Sequence, residues 1–301
     1  MTVLSVAAAL LAGLSVVMGS PVAGLPKAPP TRYFVTFGSS TTQTGFQSNG
    51  TLPSPGNILG NPSLPGSTTS GGLNWLGYDL TEFNSSLMLS YNLAVGGATT
   101  DHVLIPPYAP TVRTFVDQVD DFEANIVGDG DVPWTSKTLL VGIWIANNDV
   151  GQSWDEPDLP GLYAKVSKRY FEQVQRLYDL GARNFVIIDS APQHETPLMK
   201  TNGANLVTLK GAVELYNKIM AKSFSAFRKS HRDARAWLVD AGTAYYEALD
   251  DPAKYGAPDD MCENLDGVSC LWWNNYHPGL AIHRLLGAEV SRVVGAPWFE
   301  G

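Results

Sequence analysis

A serine, a histidine and a pair of hydrogen-bond donors carry the chemistry that this sequence can support. Ser40 stands in a run of small residues, Gly38-Ser39-Ser40-Thr41-Thr42. A serine hydroxyl is a weak nucleophile and needs a neighbouring base. Five histidines are present for that role: His102, His194, His231, His277 and His283. His277 is the best placed, between the aromatic pair Trp272-Trp273 and a last helical segment, with Pro278 behind it. Attack on a carbonyl also needs donors aimed at the developing oxyanion. The backbone N–H of Gly97 and the side-chain amide of Asn148 are groups of the right kind. Together these residue types fit nucleophilic acyl transfer. The two cysteines, Cys262 and Cys270, lack a nearby histidine pair, so they do not make a zinc site.

The elements that must position these groups follow from apolar patterning. Residues 32–37 (RYFVTF) read as a buried strand that delivers Ser40 at a turn. Residues 87–95 read as a second strand, ending in Gly96-Gly97, and 138–146 as a third, ending in Asn147-Asn148-Asp149. Residues 185–189 and 236–240 complete five. Helical spacing fills the gaps. Leu162, Val166, Tyr170, Val174 and Leu177 share one face, with Gly181 where a C′ residue belongs. A second stripe steps by three and four from Leu206 to Phe227, and Pro278 is placed to open a last helix carrying Ile282, Leu286 and Val290. Strands alternating with such helices predict an α/β fold on a parallel sheet, with ligands beyond the carboxyl ends of the strands. No linker divides residues 27–301, which read as one domain. The Gly/Pro/Ser/Asn-rich stretch from Gly45 to Gly72 is too long for an ordinary connector and reads as disordered or functional. Bland readings stand beside the chemical ones. Gly96 and Gly97 also suit a tight turn, Asn148 a strand-end turn, Asp149 a helix cap, and the Asp101-His102 pair a solvated surface.

Composition narrows the setting. The 301 residues carry 20 Lys+Arg against 29 Asp+Glu, a net charge of −9, which argues against a nucleic-acid partner. With 44% hydrophobic and only 16% charged residues, a long disordered chain is excluded. The opening MTVLSVAAALLAGLSVVMGSPVAG holds no charged side chain before Lys27. Its apolar run of roughly 15 residues is short for a membrane span, and small residues at Gly19, Ser20 and Ala23 suit signal-peptidase cleavage. Residues 1–20 therefore read as a signal peptide, although the basic n-region is missing. Sequons at Asn49 and Asn84 fit a secreted glycoprotein. In that oxidising setting the close pair Cys262 and Cys270 favours one disulfide over two buried thiols. A soluble, extracellular monomer with no membrane partner is expected.

Four blocks, in order across residues 33–296, resemble the SGNH/GDSL hydrolases. Gly38-Ser39-Ser40-Thr41-Thr42-Gln43-Thr44-Gly45-Phe46 resembles the first, usually G-D-S-x-T. Tyr91 to Thr100 is similar to the second, Trp144-Ile145-Ala146-Asn147-Asn148-Asp149 to the third (G-x-N-D), and Trp272 to Pro278 to the last (D-x-x-H-P). The stretch Ser70-Gly71-Gly72-Leu73-Asn74-Trp75 adds a likeness to fungal family 16 carbohydrate esterases. The resemblance implies a flavodoxin-like three-layer α/β/α fold and a secreted ester hydrolase that needs no metal or organic cofactor and acts on acetylated plant-wall oligosaccharides or small acetyl esters. By position, Ser40 would be the nucleophile and His277 the base. The Ser40 and Gly97 N–H groups and the Asn148 amide would form the oxyanion hole. Trp75, Trp272 and Trp273 would stack on sugar rings or serve in packing.

Three residues depart from the pattern. Ser39 replaces the first-block Asp, Ala146 the third-block Gly, and Asn274 the triad Asp three residues before His277. An Asp there orients the imidazole and stabilises its cation; an Asn keeps at most the orientation, and flipped it favours the wrong tautomer. Asp259, Asp260, Asp266 or a backbone carbonyl are alternatives for the third role. The competing expectation is a catalytically impaired pseudo-esterase that binds carbohydrate without turnover. Ala146 is expected to crowd the oxyanion hole or acyl pocket, and Ser39 to loosen the nucleophile turn.

Overall fold

A computed structural model describes residues 30–127 and 132–300. The five apolar runs form five strands: β1 (Arg32–Gly38), β2 (Met88–Asn92), β3 (Leu139–Trp144), β4 (Asn184–Ile188) and β5 (Arg235–Val239). They make one sheet in the order β2-β1-β3-β4-β5, and every pairing is parallel. All residues of β1 to β4 are buried, as expected for strands covered on both faces. The run from Leu93 to Val95 still donates to β1, at Thr36 O and Gly38 O, but Ala94 N–H turns to the Asn92 side chain and ends β2.

Period-two alternation sorts the strand side chains into two cores. Tyr33, Val35, Phe37, Val141, Ile143, Phe185 and Ile187 pack on one face against α2 (Phe115–Asp121), α4 (Leu159–Asp179) and α6 (Leu206–Ser230). Phe34, Leu140, Trp144, Val186 and Val239 pack on the other against α1 (Trp75–Thr81), α7 (Ala241–Leu249) and α8 (Leu280–Val294). The result is the expected three-layer α/β/α arrangement. Asp158 and Asn205 cap α4 and α6, Thr196 caps the short helix α5 (Pro197–Thr201), and Gly181 follows α4 with φ +106°, in the left-handed role expected of it.

The chain runs outward from β1 to β2, then returns to β3 on the other side of β1. This reversal opens a crevice beyond the carboxyl ends of β1 and β3. Gly38 and Trp144 pair at those ends, so Ser40 and the short helix α3 (Ala146–Gly151) emerge side by side.

Three expectations change. Pro278 does not open the last helix: α8 begins at Leu280 with Gly279 as N-cap, because Gly279 and Leu280 first donate back to Leu271 O and Gly267 O. The Gly45–Gly72 stretch is a folded loop, tied across its neck by the Asn61 amide to Gln47 O and Thr51 O. Asp101 is buried and paired with Arg169 at 2.8 Å, while His102 alone faces solvent. The expected signal peptide, residues 1–20, lies outside the described residues.

Candidate active site

The nucleophile turn begins where β1 and β3 approach most closely. A Cβ on Gly38 would lie 2.7 Å from Trp144 O, so glycine is required there. Beyond it, Ser39 O accepts from Thr42 N–H and Gln43 N–H, closing one tight turn that presents Ser40. Neutral amides brace this turn. Asn74, the N-cap of α1, donates to Thr42 O and Gln43 O at 2.8 and 3.1 Å. Asn92, at the end of β2, donates to Thr42 O at 2.6 Å and to the Thr44 hydroxyl at 3.1 Å. The Thr69 hydroxyl donates to Ser40 O, and the Trp75 indole to Thr42 Oγ1.

His277 comes from the loop before α8. Its Nε2 lies 2.8 Å from Ser40 Oγ, and its Nδ1 lies 3.1 Å from Asn274 Oδ1. The same Oδ1 accepts the backbone N–H groups of Tyr276 (3.0 Å) and His277 (2.8 Å). Two N–H donors fix which end of the Asn274 amide faces them, and it must be the oxygen. Nδ1 therefore carries the proton, and the Nε2 lone pair faces the serine hydroxyl. That is the tautomer a general base needs. Burial pushes the His277 pKa down to about 4, so the ring is neutral through most of the acidic range. Among the described residues no carboxylate bonds to this ring. Asp259 accepts from Met261 and Cys262 N–H, Asp260 pairs with Lys200, and Asp266 accepts from Val268 and Ser269. The third position is held by Asn274.

Asn148 shares a pocket with Ser40, and its amide holds Ala98 O, next to Gly97. Gly97 has φ +81°, a conformation that suits glycine, and a Cβ there would strike the Tyr108 ring. Neither Ser40 N–H nor Gly97 N–H donates to another group among the described residues. One N–H of the Asn148 amide donates to Ala98 O at 3.0 Å, which leaves the other free. Asp149, next in sequence, locks the same loop from below, accepting Thr100 N–H at 2.9 Å and the Thr100 hydroxyl at 2.7 Å. Burial raises the Asp149 pKa to about 7, against the lowering effect of those two bonds. Beside Ser40 and Asn148 lies a small pocket walled by Thr41, Asn147, Ala191, Gln193, Thr196 and Tyr276. A serine–imidazole pair facing unspent N–H donors is equipped for acyl transfer.

Comparison with known proteins decides the family. Residues 34–290 match the GDSL-like lipase/acylhydrolase family. The chain belongs to this family. It is 47% identical over 264 residues to an acetylesterase of Thermothelomyces thermophilus, covering 87% of each chain. Among solved structures it is similar to an acetylxylan esterase of Geobacillus stearothermophilus. One structure of that enzyme, a catalytic mutant, superposes with TM-score 0.53 at 15% identity, covering 90% of this chain and 97% of the other. Another gives TM-score 0.51 at 15% identity, covering 88% and 94%. At that identity the likeness concerns the fold. The protein is thus a GDSL-family carboxylic ester hydrolase.

Two of the three departures from the GDSL pattern are absorbed by the fold. The Ser39 hydroxyl is buried without a partner among the described residues, yet the turn holds through the Ser39 carbonyl and the Asn74 and Asn92 amides. Ala146 begins α3 and points into the core with Val150, so its methyl does not crowd the pocket as expected. Two tryptophans also leave the site. Trp75 and Trp272 are fully buried, cannot meet a sugar ring, and serve as braces. The Trp75 indole ties the nucleophile turn; the Trp272 indole donates to Asp260 O at 2.7 Å. Trp273 is half-buried on the rim, its ring centre 6.1 Å from that of His277. Cys262 and Cys270 are joined in a disulfide upstream of His277. The Asn49 sequon is exposed, whereas the Asn84 side-chain nitrogen donates to Ser86 O.

Several site residues were not singled out from sequence. Asn74 and Tyr276 lie inside the recognised blocks, so their positions carried a signal. Gln193 and Thr196 follow β4, outside any block, and only the fold brings them to Ser40.

Proposed function

We propose that this protein is a secreted acetylesterase that removes acetyl groups from plant-wall oligosaccharides through a Ser40–His277–Asn274 centre. The observation that carries the reading is the double tie of the imidazole: Nδ1 to the Asn274 oxygen and Nε2 to Ser40 Oγ at 2.8 Å. Ser40 Oγ attacks the acetyl carbonyl carbon as its proton passes to His277 Nε2. The oxyanion is held by the N–H groups of Ser40 and Gly97 and by the free N–H of Asn148. Collapse breaks the ester C–O bond, and the leaving sugar oxygen takes the proton from Nε2. Water then attacks the acetyl-serine with His277 again as base, releasing acetate and restoring Ser40. The 47% identity to an acetylesterase supports the acyl group, and Trp273 on the rim supplies an aromatic face for a sugar.

The disulfide and the exposed Asn49 sequon support an oxidising, extracellular destination. No helix among the described residues is long and apolar enough to cross a membrane. We further propose cleavage near residue 20, a glycan at Asn49 and a monomeric state. N-terminal sequencing of protein from the medium tests the cleavage, and an N-terminus at Met1 would refute it.

The test of the central reading is acetate release from 4-nitrophenyl acetate and from acetylated xylo-oligosaccharides, parent against Ser40→Ala. Turnover that disappears in Ser40→Ala establishes the centre. Absent turnover in a folded parent that still binds xylo-oligosaccharide would instead identify the impaired, carbohydrate-binding relative.

A further inference from the structure

We infer that Gln193 and Tyr276 form a braced end-wall that limits the acyl group to two carbons. The inference rests on Ser40 being the nucleophile. Three substituents leave the carbon bonded to Ser40 Oγ. The oxyanion points to the Ser40, Gly97 and Asn148 donors. The leaving oxygen must reach His277 Nε2 and must open to solvent, because it carries a sugar. The direction left for the acyl chain is the pocket beside Ser40 and Asn148. Its cavity volume is about 10 Å3, room for one water- or methyl-sized group.

The wall that Gln193 and Tyr276 form has no slack. Gln193 is 3% exposed, and its amide nitrogen donates to Asn147 O at 2.8 Å and to Ser190 Oγ at 3.3 Å. Its Oε1 accepts the Tyr276 hydroxyl at 3.2 Å. Gly151 closes the space behind both: a Cβ there would lie 2.7 Å from Gln193 Oε1 and 3.1 Å from the Tyr276 oxygen. A longer acyl chain must break bonds at buried polar groups or displace α3. The wall is also continuous with the catalytic loop. Tyr276 precedes His277 and donates its own N–H to Asn274, and Leu198 N–H donates to Asn275 O from the segment that follows Gln193. Chain-length selectivity and base positioning thus share one piece of structure.

The experiment compares kcat/KM for phenyl formate, 4-nitrophenyl acetate and 4-nitrophenyl butanoate in the full chain and two opposing variants. The parent should prefer acetate over butanoate by about tenfold or more, the discrimination a methylene-sized misfit supports. Gln193→Ala opens the wall and should raise the butanoate-to-acetate ratio about tenfold. Ala191→Leu fills the pocket and should raise the formate-to-acetate ratio by a similar factor, about tenfold. A parent that takes butanoate as readily as acetate overturns the inference. So does a folded Gln193→Ala protein whose ratio stays at the parent value. Should Gln193→Ala fail to fold, Ala191→Leu decides alone: an unchanged formate-to-acetate ratio overturns the wall. Turnover surviving in Ser40→Ala would instead remove the underlying reading, so the two failures are distinct.

Discussion

The two halves of the catalytic centre are held by different means. The nucleophile turn hangs from the sheet. Gln118 exchanges hydrogen bonds with both Gly38 N–H and Gly38 O at 2.9 Å, and Asn74 and Asn92 each donate twice to the turn or its flank. All three amides are buried and belong to α2, the α1 cap and β2. The histidine loop, by contrast, has no regular element between Ala257 and Gly279. It is held by the Cys262–Cys270 bond, by short-range turns at Asp259, Asp266 and Asn274, by the bridges Glu263–Trp272 and Trp272–Pro278, and by single contacts to the segment after β4, namely Leu198 N–H on Asn275 O, Lys200 on Asp260 and the Tyr276 hydroxyl on Gln193. A turn fixed from three elements tolerates a lost contact, which is why Ser39 matters little. A loop held by turns and single side-chain contacts puts its weight on single groups, and for the imidazole that group is the Asn274 oxygen.

The largest effects come from breaking either half at its reacting atom. His277→Ala should lower kcat for 4-nitrophenyl acetate by about 10⁴-fold, or about 5 kcal/mol of barrier, with the fold intact. A loss below tenfold would mean that another base serves Ser40. Next comes the scaffold of the nucleophile half. Asn92→Ala strands Ala94 N–H in the interior, takes one of two donors from Thr42 O and the donor from the Thr44 hydroxyl, and should cost about 3 kcal/mol of stability. Because these bonds span elements, heat inactivation and loss of helical circular dichroism should coincide in that variant.

How much of this was legible beforehand follows the same division. Each strand lies within a few residues of the apolar run that announced it; it is the block resemblance that points to Ser40, Gly97, Asn148 and His277, of which Ser40 and His277 meet at 2.8 Å and Asn148 shares a pocket with Ser40. Periodicity and block order are local signals, and those elements obey them. Trp75 and Trp272 were ambiguous because an indole in an irregular stretch gives no sign of the face it will take. Pro278 sits where a helix could start, yet the return of Gly279 to Leu271 O, a tertiary contact, delays it. The Gln193 wall was invisible because its meaning arises only when the segment after β4 meets the loop before α8.

The histidine half should fail differently from the nucleophile half. Cys262 and Cys270 lie eight residues apart, so removing their bond should cost about 2.5 kcal/mol by loop entropy. The loss should be felt in the loop first. In a Cys262→Ala/Cys270→Ala variant, activity should fall at a temperature below that at which helical circular dichroism is lost. Coincident transitions there would erase the distinction drawn between the two halves.

The smallest change tests the distinction most closely, because it alters charge at one oxygen and leaves geometry alone. In serine proteases the Asp→Asn replacement costs roughly 10⁴ in rate, chiefly because the amide favours the wrong tautomer. Here the tautomer is already right, fixed by the Tyr276 and His277 N–H groups on Asn274 Oδ1. What Asn274 lacks is only the negative charge that steadies an imidazolium. Asn274→Asp should therefore raise kcat at neutral pH by about ten- to a hundredfold, or about 1.4–2.7 kcal/mol, well short of 10⁴. The pH profile gives the sign independently. His277 acts as base only when neutral, and burial holds its pKa down to about 4. The parent should keep kcat/KM constant on acidification until about pH 4 and lose it below. A carboxylate at 274 favours the protonated ring, raises its pKa and moves that acid limb upward. The variant would thus gain rate near neutrality and lose acid range, so the asparagine trades turnover for activity in acid. An acid limb that stays in place in Asn274→Asp would mean that the amide oxygen does not govern the imidazole.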